Sequence, residues 1–148
     1  MDRPDDALLE DILEKPYWIM DILPKQVPPD AAGQYFAVEK YYLQKPRIVE
    51  IRRKYLAILL KLNCYYDLAV SAYGTACWKE NPEPAELEEW LLTDAEAETL
   101  HVMVSGAESL LVLDFGDTYM TVYNPTEALL RLLKDLAASE GLFLWQPE

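Results

Sequence analysis

The sequence predicts a single-domain α+β protein over residues 1–148, with a mostly antiparallel sheet of four to five strands packed against helices. The length of 148 residues suits one sizeable hydrophobic core. Apolar residues recur at helical spacing in several segments of the first half. In the second half, three strand-like runs follow one another with only short turns between them, which favours antiparallel pairing.

The first half of the chain predicts three helices and one clear strand. Residues 5–15 have apolar residues at helical spacing and stop before a proline. Residues 17–24 are compatible with a short strand or with one helical turn, since the period does not separate the two. Residues 34–43 predict a second helix. Residues 46–63 predict the longest helix, whose wide apolar face places it at the centre of the core, and residues 65–73 alternate as a strand does.

The second half begins with a proline-rich helix start and continues into the strand meander. Residues 82–92 predict a helix with three leucine or tryptophan residues facing inward. The meander comprises residues 100–104, 110–114 and 118–123.

The last part of the chain predicts a well-capped helix and a final strand. Asn124 is expected to cap this helix, with Pro125 at its first position. Gly141 is placed to end the helix in a left-handed conformation. Residues 142–145 predict a last strand, for which parallel pairing is also possible.

The charge distribution is uneven and excludes some classes of function. The net charge is −13. Residues 1–74 contain ten basic and eleven acidic residues, whereas residues 75–148 contain three basic and fifteen acidic residues. Nucleic-acid binding is not expected, because phosphate contacts require a positive surface. Anionic membranes would be repelled in the same way.

The sequence also predicts where the protein resides. The N-terminus is acidic and no long apolar run follows it, so neither a signal peptide nor a membrane-spanning helix is expected. Cys64 and Cys77 are then expected to be free thiols. Together these observations predict a cytoplasmic protein.

One short motif, Asp114-Phe115-Gly116, resembles a catalytic signature of protein kinases. The glycine-rich loop, strand lysine and His-Arg-Asp loop that phosphoryl transfer also needs are missing from the sequence. We therefore interpret the motif as a turn between two strands, with positive φ expected at Gly116. Asp114 and Asp117 would be turn residues rather than an acid–base pair. The cysteine and histidine content predicts no metal site, and no cofactor is expected.

A pocket between the sheet and helix 46–63 is one possible site. Arg52 falls inside the apolar face of that helix, so it must extend to solvent, meet a carboxylate such as Asp21 or Asp67, or hold an anionic ligand. Tyr55 lies on the same face, and the single histidine, His101, lies on a strand. The three residues would serve a small-molecule-binding protein or a modest enzyme.

The acidic helix 82–92 suggests the preferred function. Glu86, Glu88 and Glu89 lie away from its apolar side, and only Lys79 is a positive neighbour. A same-sign surface of this kind is destabilising unless a partner or the basic helix 46–63 neutralises it. We therefore expect a non-enzymatic bacterial interaction protein, of the immunity, antitoxin or inhibitor type. It would bind a basic protein partner through these glutamates, with Asp114, Asp117 and exposed aromatic residues assisting.

Overall fold

The structure is a computed structural model that describes residues 4–74, 77–93 and 97–148. Within these residues it contains five α-helices and one seven-stranded antiparallel sheet, which confirms the predicted α+β class. No helix in this part of the chain is long and apolar enough to cross a membrane. The helices are α1 (Asp6–Leu13), α2 (Ala32–Leu43), α3 (Arg47–Leu62), α4 (Pro84–Leu92) and α5 (Glu127–Ser139). The strands are β1 (Tyr17–Asp21), β2 (Leu68–Ser71), β3 (Lys79–Glu80), β4 (Thr99–Val104), β5 (Ser109–Asp114), β6 (Met120–Tyr123) and β7 (Phe143–Trp145).

The sheet has the strand order β3-β2-β4-β5-β6-β1-β7, so the prediction of four to five strands was too low. Strand β1 lies within residues 17–24, for which the sequence allowed either a strand or a helical turn. Strand β3 has only two residues, both charged, and such a strand leaves no periodic signal. The final strand β7 pairs antiparallel with β1, so the parallel alternative is wrong.

Both faces of the sheet are covered, because alternate side chains of each strand point to opposite sides. On the first face, α3, α4 and α5 bury the main core around Tyr55, Leu59 and Leu133. On the second face, α1 places Leu9 and Ile12 against the central strands. The second cluster is smaller: it includes Tyr123 at the end of β6 but no residue of β1 or β7.

Helix α5 begins two residues later than the sequence predicts. The N-cap is Thr126, whose hydroxyl accepts a hydrogen bond from the Leu129 N–H at 3.2 Å. Asn124 instead has a positive φ of 55° and its side-chain amide donates to the Glu108 carbonyl. The predicted left-handed end is confirmed, since Gly141 has φ 72°.

The Asp114–Asp117 segment is a turn between β5 and β6, as predicted. The Asp117 N–H donates to the Asp114 carbonyl at 3.0 Å. However, Gly116 is not in a left-handed conformation. Its N–H donates to the Asp114 carboxylate at 2.8 Å, so the aspartate side chain organises the turn and positive φ is not needed.

Candidate functional site

An open cleft lies on the second face of the sheet, beyond the part that α1 covers. Its floor is β1, where Tyr17, Ile19 and Asp21 alternate toward the cleft. In the strand register Ile19 lies between Thr121 of β6 and Trp145 of β7. The cleft therefore forms at the end of the sheet where the N-terminal and C-terminal strands meet.

The walls of the cleft come from four separate parts of the chain. Helix α2 supplies Tyr35 and Phe36, and Tyr119 precedes β6. The Trp145 indole N–H donates to the Leu23 carbonyl at 3.0 Å, which attaches β7 to the segment after β1. The cleft volume is about 370 Å³, within the range typical of small-molecule sites. Its lining residues are Tyr17, Ile19, Asp21, Lys25, Gln26, Val27, Pro28, Pro29, Tyr35, Phe36, Tyr119, Trp145 and Pro147.

Asp21 is the buried carboxylate of the cleft and is only 5% exposed. One carboxylate oxygen accepts a hydrogen bond from the Ile22 N–H at 2.7 Å. The pKa of Asp21 is raised to about 6, mainly by burial and to a smaller extent by the charge of Glu39, while the backbone N–H groups of Ile22 and Leu23 act in the opposite direction. A carboxyl group that ionises near neutral pH inside a cleft is a feature of many functional sites.

Two tyrosines of the cleft lie beside carboxylates. The Tyr35 hydroxyl donates to Glu39 at 3.0 Å, and burial followed by this bond raises the pKa of Tyr35. Burial and the neighbouring charge of Asp117 raise the pKa of Tyr119 to about 12. The pKa of Asp117 is itself raised by burial and by the charges of Asp114 and Glu39. The carboxylates at this end of the molecule are therefore within electrostatic reach of one another.

Sequence reasoning did not identify this cleft. The available signal was Asp21, an acidic residue inside the otherwise apolar segment 17–24, which was considered only as a partner for Arg52. The adjacent aromatic pairs Tyr17-Trp18 and Tyr35-Phe36 are a second signal, because neighbouring side chains in regular structure point apart and one of each pair can reach the surface. That these aromatic residues converge on one carboxylate depends on the sheet order, which no local pattern shows.

Arg52 and Tyr55 make structural contacts on the first face of the sheet. The Arg52 guanidinium donates to the Phe115 carbonyl at 2.8 Å and lies 4.6 Å from the centre of the Phe115 ring. It thereby holds the β5–β6 turn, and burial lowers its pKa. Its Nε has no hydrogen-bond partner among the described residues. The Tyr55 hydroxyl is buried against two carbonyls, those of Met20 at 3.0 Å and Thr118 at 2.8 Å.

His101 lies on the opposite face of the sheet from these two residues. In β4 it alternates with Leu100 and Val102, which belong to the main core beneath α3. Its ring is 6.5 Å from that of Trp78, and burial lowers its pKa. Arg52, Tyr55 and His101 therefore do not share one cavity, and the space between the sheet and α3 is occupied by core side chains.

The glutamates of α4 have different surroundings from one another. Glu86 accepts from the Lys79 ammonium at 2.7 Å, which is the main cause of its lowered pKa, and also from the Glu83 N–H. Glu88 lies 3.8 Å from the Arg53 guanidinium of α3. Glu89 has no ion-pair partner among the residues that the structure describes. The sequence left open whether helix 46–63 would neutralise these glutamates. In the structure, Arg53 of that helix does so for Glu88.

Asp114 and Asp117 lie together at the β5–β6 turn, whereas the glutamates lie on α4. Asp114 is exposed, and Asp117 is partly buried beside Tyr119. Across residues 4–74, 77–93 and 97–148, no group of three or more histidine, cysteine, aspartate or glutamate residues is arranged to hold a metal ion. Cys64 and Cys77 are exposed free thiols.

The chain was also compared with known proteins. No protein-family model matches it, and no significant match was found among curated proteins or among solved structures.

Proposed function

We propose that this protein is a non-enzymatic interaction module that binds a basic surface of a protein partner through an acidic end formed by Glu39, Asp114 and Asp117. The observation that carries the proposal is that these carboxylates have no ion-pair partner among the described residues, since Arg52 at the same turn donates to the Phe115 carbonyl instead. No lysine, arginine or histidine of the described residues lies within ion-pair distance of any of them. Mutual repulsion contributes to the raised pKa of Asp117.

The glutamates of α4 contribute less to this surface. Lys79 and Arg53 already interact with Glu86 and Glu88, so a partner would have to displace a cation from each of them. Glu89 has no such cation among the described residues, so it stays available to a partner. The proposed surface therefore keeps the predicted chemistry but moves its centre from α4 to the β5–β6 turn.

Carboxylates without counter-charges attract a basic partner over distances of about a Debye length and increase the association rate. Exposed aromatic side chains would then slow dissociation by burying apolar area. Phe36 is 61% exposed, Phe143 is 45% exposed and Tyr17 is 42% exposed. Phe36 and Tyr17 line the cleft, and Phe143 is in register with Asp21. Acidic steering with aromatic anchors would suit an inhibitor, antitoxin or immunity protein that occupies a basic surface.

The test is to purify a protein captured from cells and to measure its association rate with matched charge variants. Asp114→Asn with Asp117→Asn removes two charges from the acidic end, and the new amide oxygen at 114 can still accept from the Gly116 N–H. Glu10→Gln with Asp135→Asn removes two exposed charges from α1 and α5. We expect the first pair to slow association by about tenfold and the second by less than about twofold at low salt. Equal slowing by both pairs would show that net charge matters and the acidic end does not.

A further inference from the structure

The cleft on β1, β6 and β7 has a composition suited to one class of small ligand. Five of its lining residues are aromatic, namely Tyr17, Tyr35, Phe36, Tyr119 and Trp145. The rings of Tyr35 and Phe36 are 5.7 Å apart and tilted, so together they form one continuous wall. Aromatic faces carry partial negative charge and attract cations, most strongly where water is excluded.

The carboxylate in the cleft lacks a counter-charge. Asp21 is 5% exposed and accepts from the Ile22 N–H, and no cation of the described residues is within ion-pair distance of it. A buried carboxylate without a counter-ion is costly, and a bound cation would relieve that cost. Glu39 adds a second negative charge beside it.

The other polar groups of the cleft do not suit an anionic ligand. The Tyr35 hydroxyl is already hydrogen-bonded to Glu39, and Tyr119 lies beside the negative charge of Asp117. Lys25 is the one basic residue among those that line the cleft, and it is exposed. An anion would be repelled by the Asp21 carboxylate at the floor of the cleft. A cation would be attracted by the same carboxylate and by the aromatic rings beside it.

We propose that this cleft binds a small organic cation, with its alkylammonium group next to Asp21 and enclosed by the rings of Tyr35, Tyr119 and Trp145. The volume of about 370 Å³ accommodates a small molecule. The site shares Glu39, Tyr17 and Phe36 with the protein-binding surface proposed above, but the two tests use different carboxylates, because Asp114 and Asp117 do not line the cleft. Failure of either experiment leaves the other interpretable.

The test compares two probes of the same shape that differ by one charge. Choline carries a trimethylammonium group, and 3,3-dimethylbutan-1-ol carries a neutral tert-butyl group in its place. Each is titrated into isotopically labelled protein while the amide of Asp21 and the indole N–H of Trp145 are followed by NMR. We expect both signals to shift with choline, with an affinity about tenfold higher than for the neutral alcohol. Equal affinities, or no shift of these signals with either probe, would overturn the proposal.

Variants then show whether Asp21 is the source of the preference. Asp21→Asn keeps the size of the side chain and its acceptor for the Ile22 N–H, and should abolish the advantage of choline over the alcohol. Asp135→Asn, on the exposed side of α5, should leave that advantage unchanged. An Asp21→Asn variant that folds and still prefers choline would contradict the assignment.

A pH series provides a readout that needs no variant. Choline affinity should fall below about pH 6 as Asp21 becomes protonated, while affinity for the neutral alcohol stays constant. The other charged groups that face this region are Glu39, Asp117 and Lys25, and Asp117, whose pKa is also raised by burial, would add to the fall. A flat choline profile between pH 5 and pH 8 would contradict the proposal.

A third probe separates a free cation from a protein side chain. Acetyl-lysine-methylamide presents a lysine side chain without the rest of a partner. If this compound shifts the cleft signals and choline does not, the occupant is a partner's lysine and the small-cation proposal is wrong.

Discussion

Tyr55 links three parts of the fold through a single oxygen atom. Its ring is completely buried in α3, and its hydroxyl contacts the Met20 carbonyl of β1 and the Thr118 carbonyl before β6. A buried hydroxyl is tolerated only with such partners. Burial also raises the pKa of Tyr55, so the phenol stays protonated and able to donate.

Replacing Tyr55 with phenylalanine should destabilise the protein by about 1–3 kcal/mol, because the single O–H donor that two buried carbonyls share is lost without any change in ring packing. Equilibrium unfolding in urea measures this difference. Tyr65→Phe is the matched control, since Tyr65 is 69% exposed and its loss of a hydroxyl should change stability by less than about 0.5 kcal/mol. Similar values for the two variants would refute the structural role of the Tyr55 hydroxyl.

Asp21 should make stability depend on pH in an unusual direction. The pKa of Asp21 is raised from 3.8 to about 6 in the folded protein, so between these values the folded state binds a proton that the unfolded state has lost. Stability therefore falls as pH rises from about 4 to about 6, by about 3 kcal/mol for a shift of this size. Asp21→Asn lacks this titration.

We expect the stability advantage of Asp21→Asn over the natural protein to grow between pH 4 and pH 7, measured by urea unfolding at each pH. Taking the difference between variant and natural protein cancels the other titrating groups. Asp135→Asn should show no comparable growth. A difference that is constant over this range would mean that Asp21 is not buried as a carboxylate in the cleft.

At the scale of the element, the end of α5 shows a local signal that the structure confirms in detail. The Gly141 N–H donates to the Ala138 carbonyl at 3.2 Å and the Leu142 N–H donates to the Ala137 carbonyl at 2.8 Å. These two bonds define a Schellman motif, which requires a left-handed residue at position 141. The start of α5 was harder to place, because Asn124 and Thr126 are both good caps and only the contact with Glu108 decides between them.

Two glycine-to-alanine substitutions should have opposite effects on stability. Gly141→Ala should destabilise by about 1 kcal/mol, because φ is 72° there and a Cβ would meet only the Lys54 Nζ at 3.9 Å, leaving backbone strain as the cause. Gly33→Ala in α2 should stabilise by about 0.5 kcal/mol, because alanine has less conformational entropy to lose on folding than glycine. A Cβ at this position meets nothing within 4 Å, so no clash opposes the gain. Thermal unfolding of both variants tests this, and the same sign for both would contradict it.

Whole-molecule stability should be uneven across the helices. Helix α3 has seven buried residues, whereas α2 has none among those described. Local opening depends on how much apolar area an element buries, so amides of α2 should exchange with deuterium at least about tenfold faster than those of α3. Strands β4 and β5, which pair over six residues at the centre of the sheet, should exchange most slowly. Equal protection of α2 and α3 in an exchange experiment would contradict this.

The sequence by itself determined the class and most of the elements, because the periods of helices and strands, the prolines and Gly141 act over a few residues. It also determined the excess of negative charge in the second half. Such patterns did not predict the two-residue strand β3, and they did not decide between a strand and a helical turn for residues 17–24. Each of these segments is a strand because it pairs with neighbours that are distant in sequence.

Only the tertiary structure decided where those charges and aromatic residues lie. The pairing of Glu88 with Arg53 requires α3 and α4 to pack together, and the cleft requires β7 to return beside β1. The bond from Trp145 to Leu23 spans 122 positions, so no local pattern carries it. The order of strands in the sheet brings Asp21, Tyr35, Tyr119 and Trp145 together, and that order follows from the packing of the whole chain.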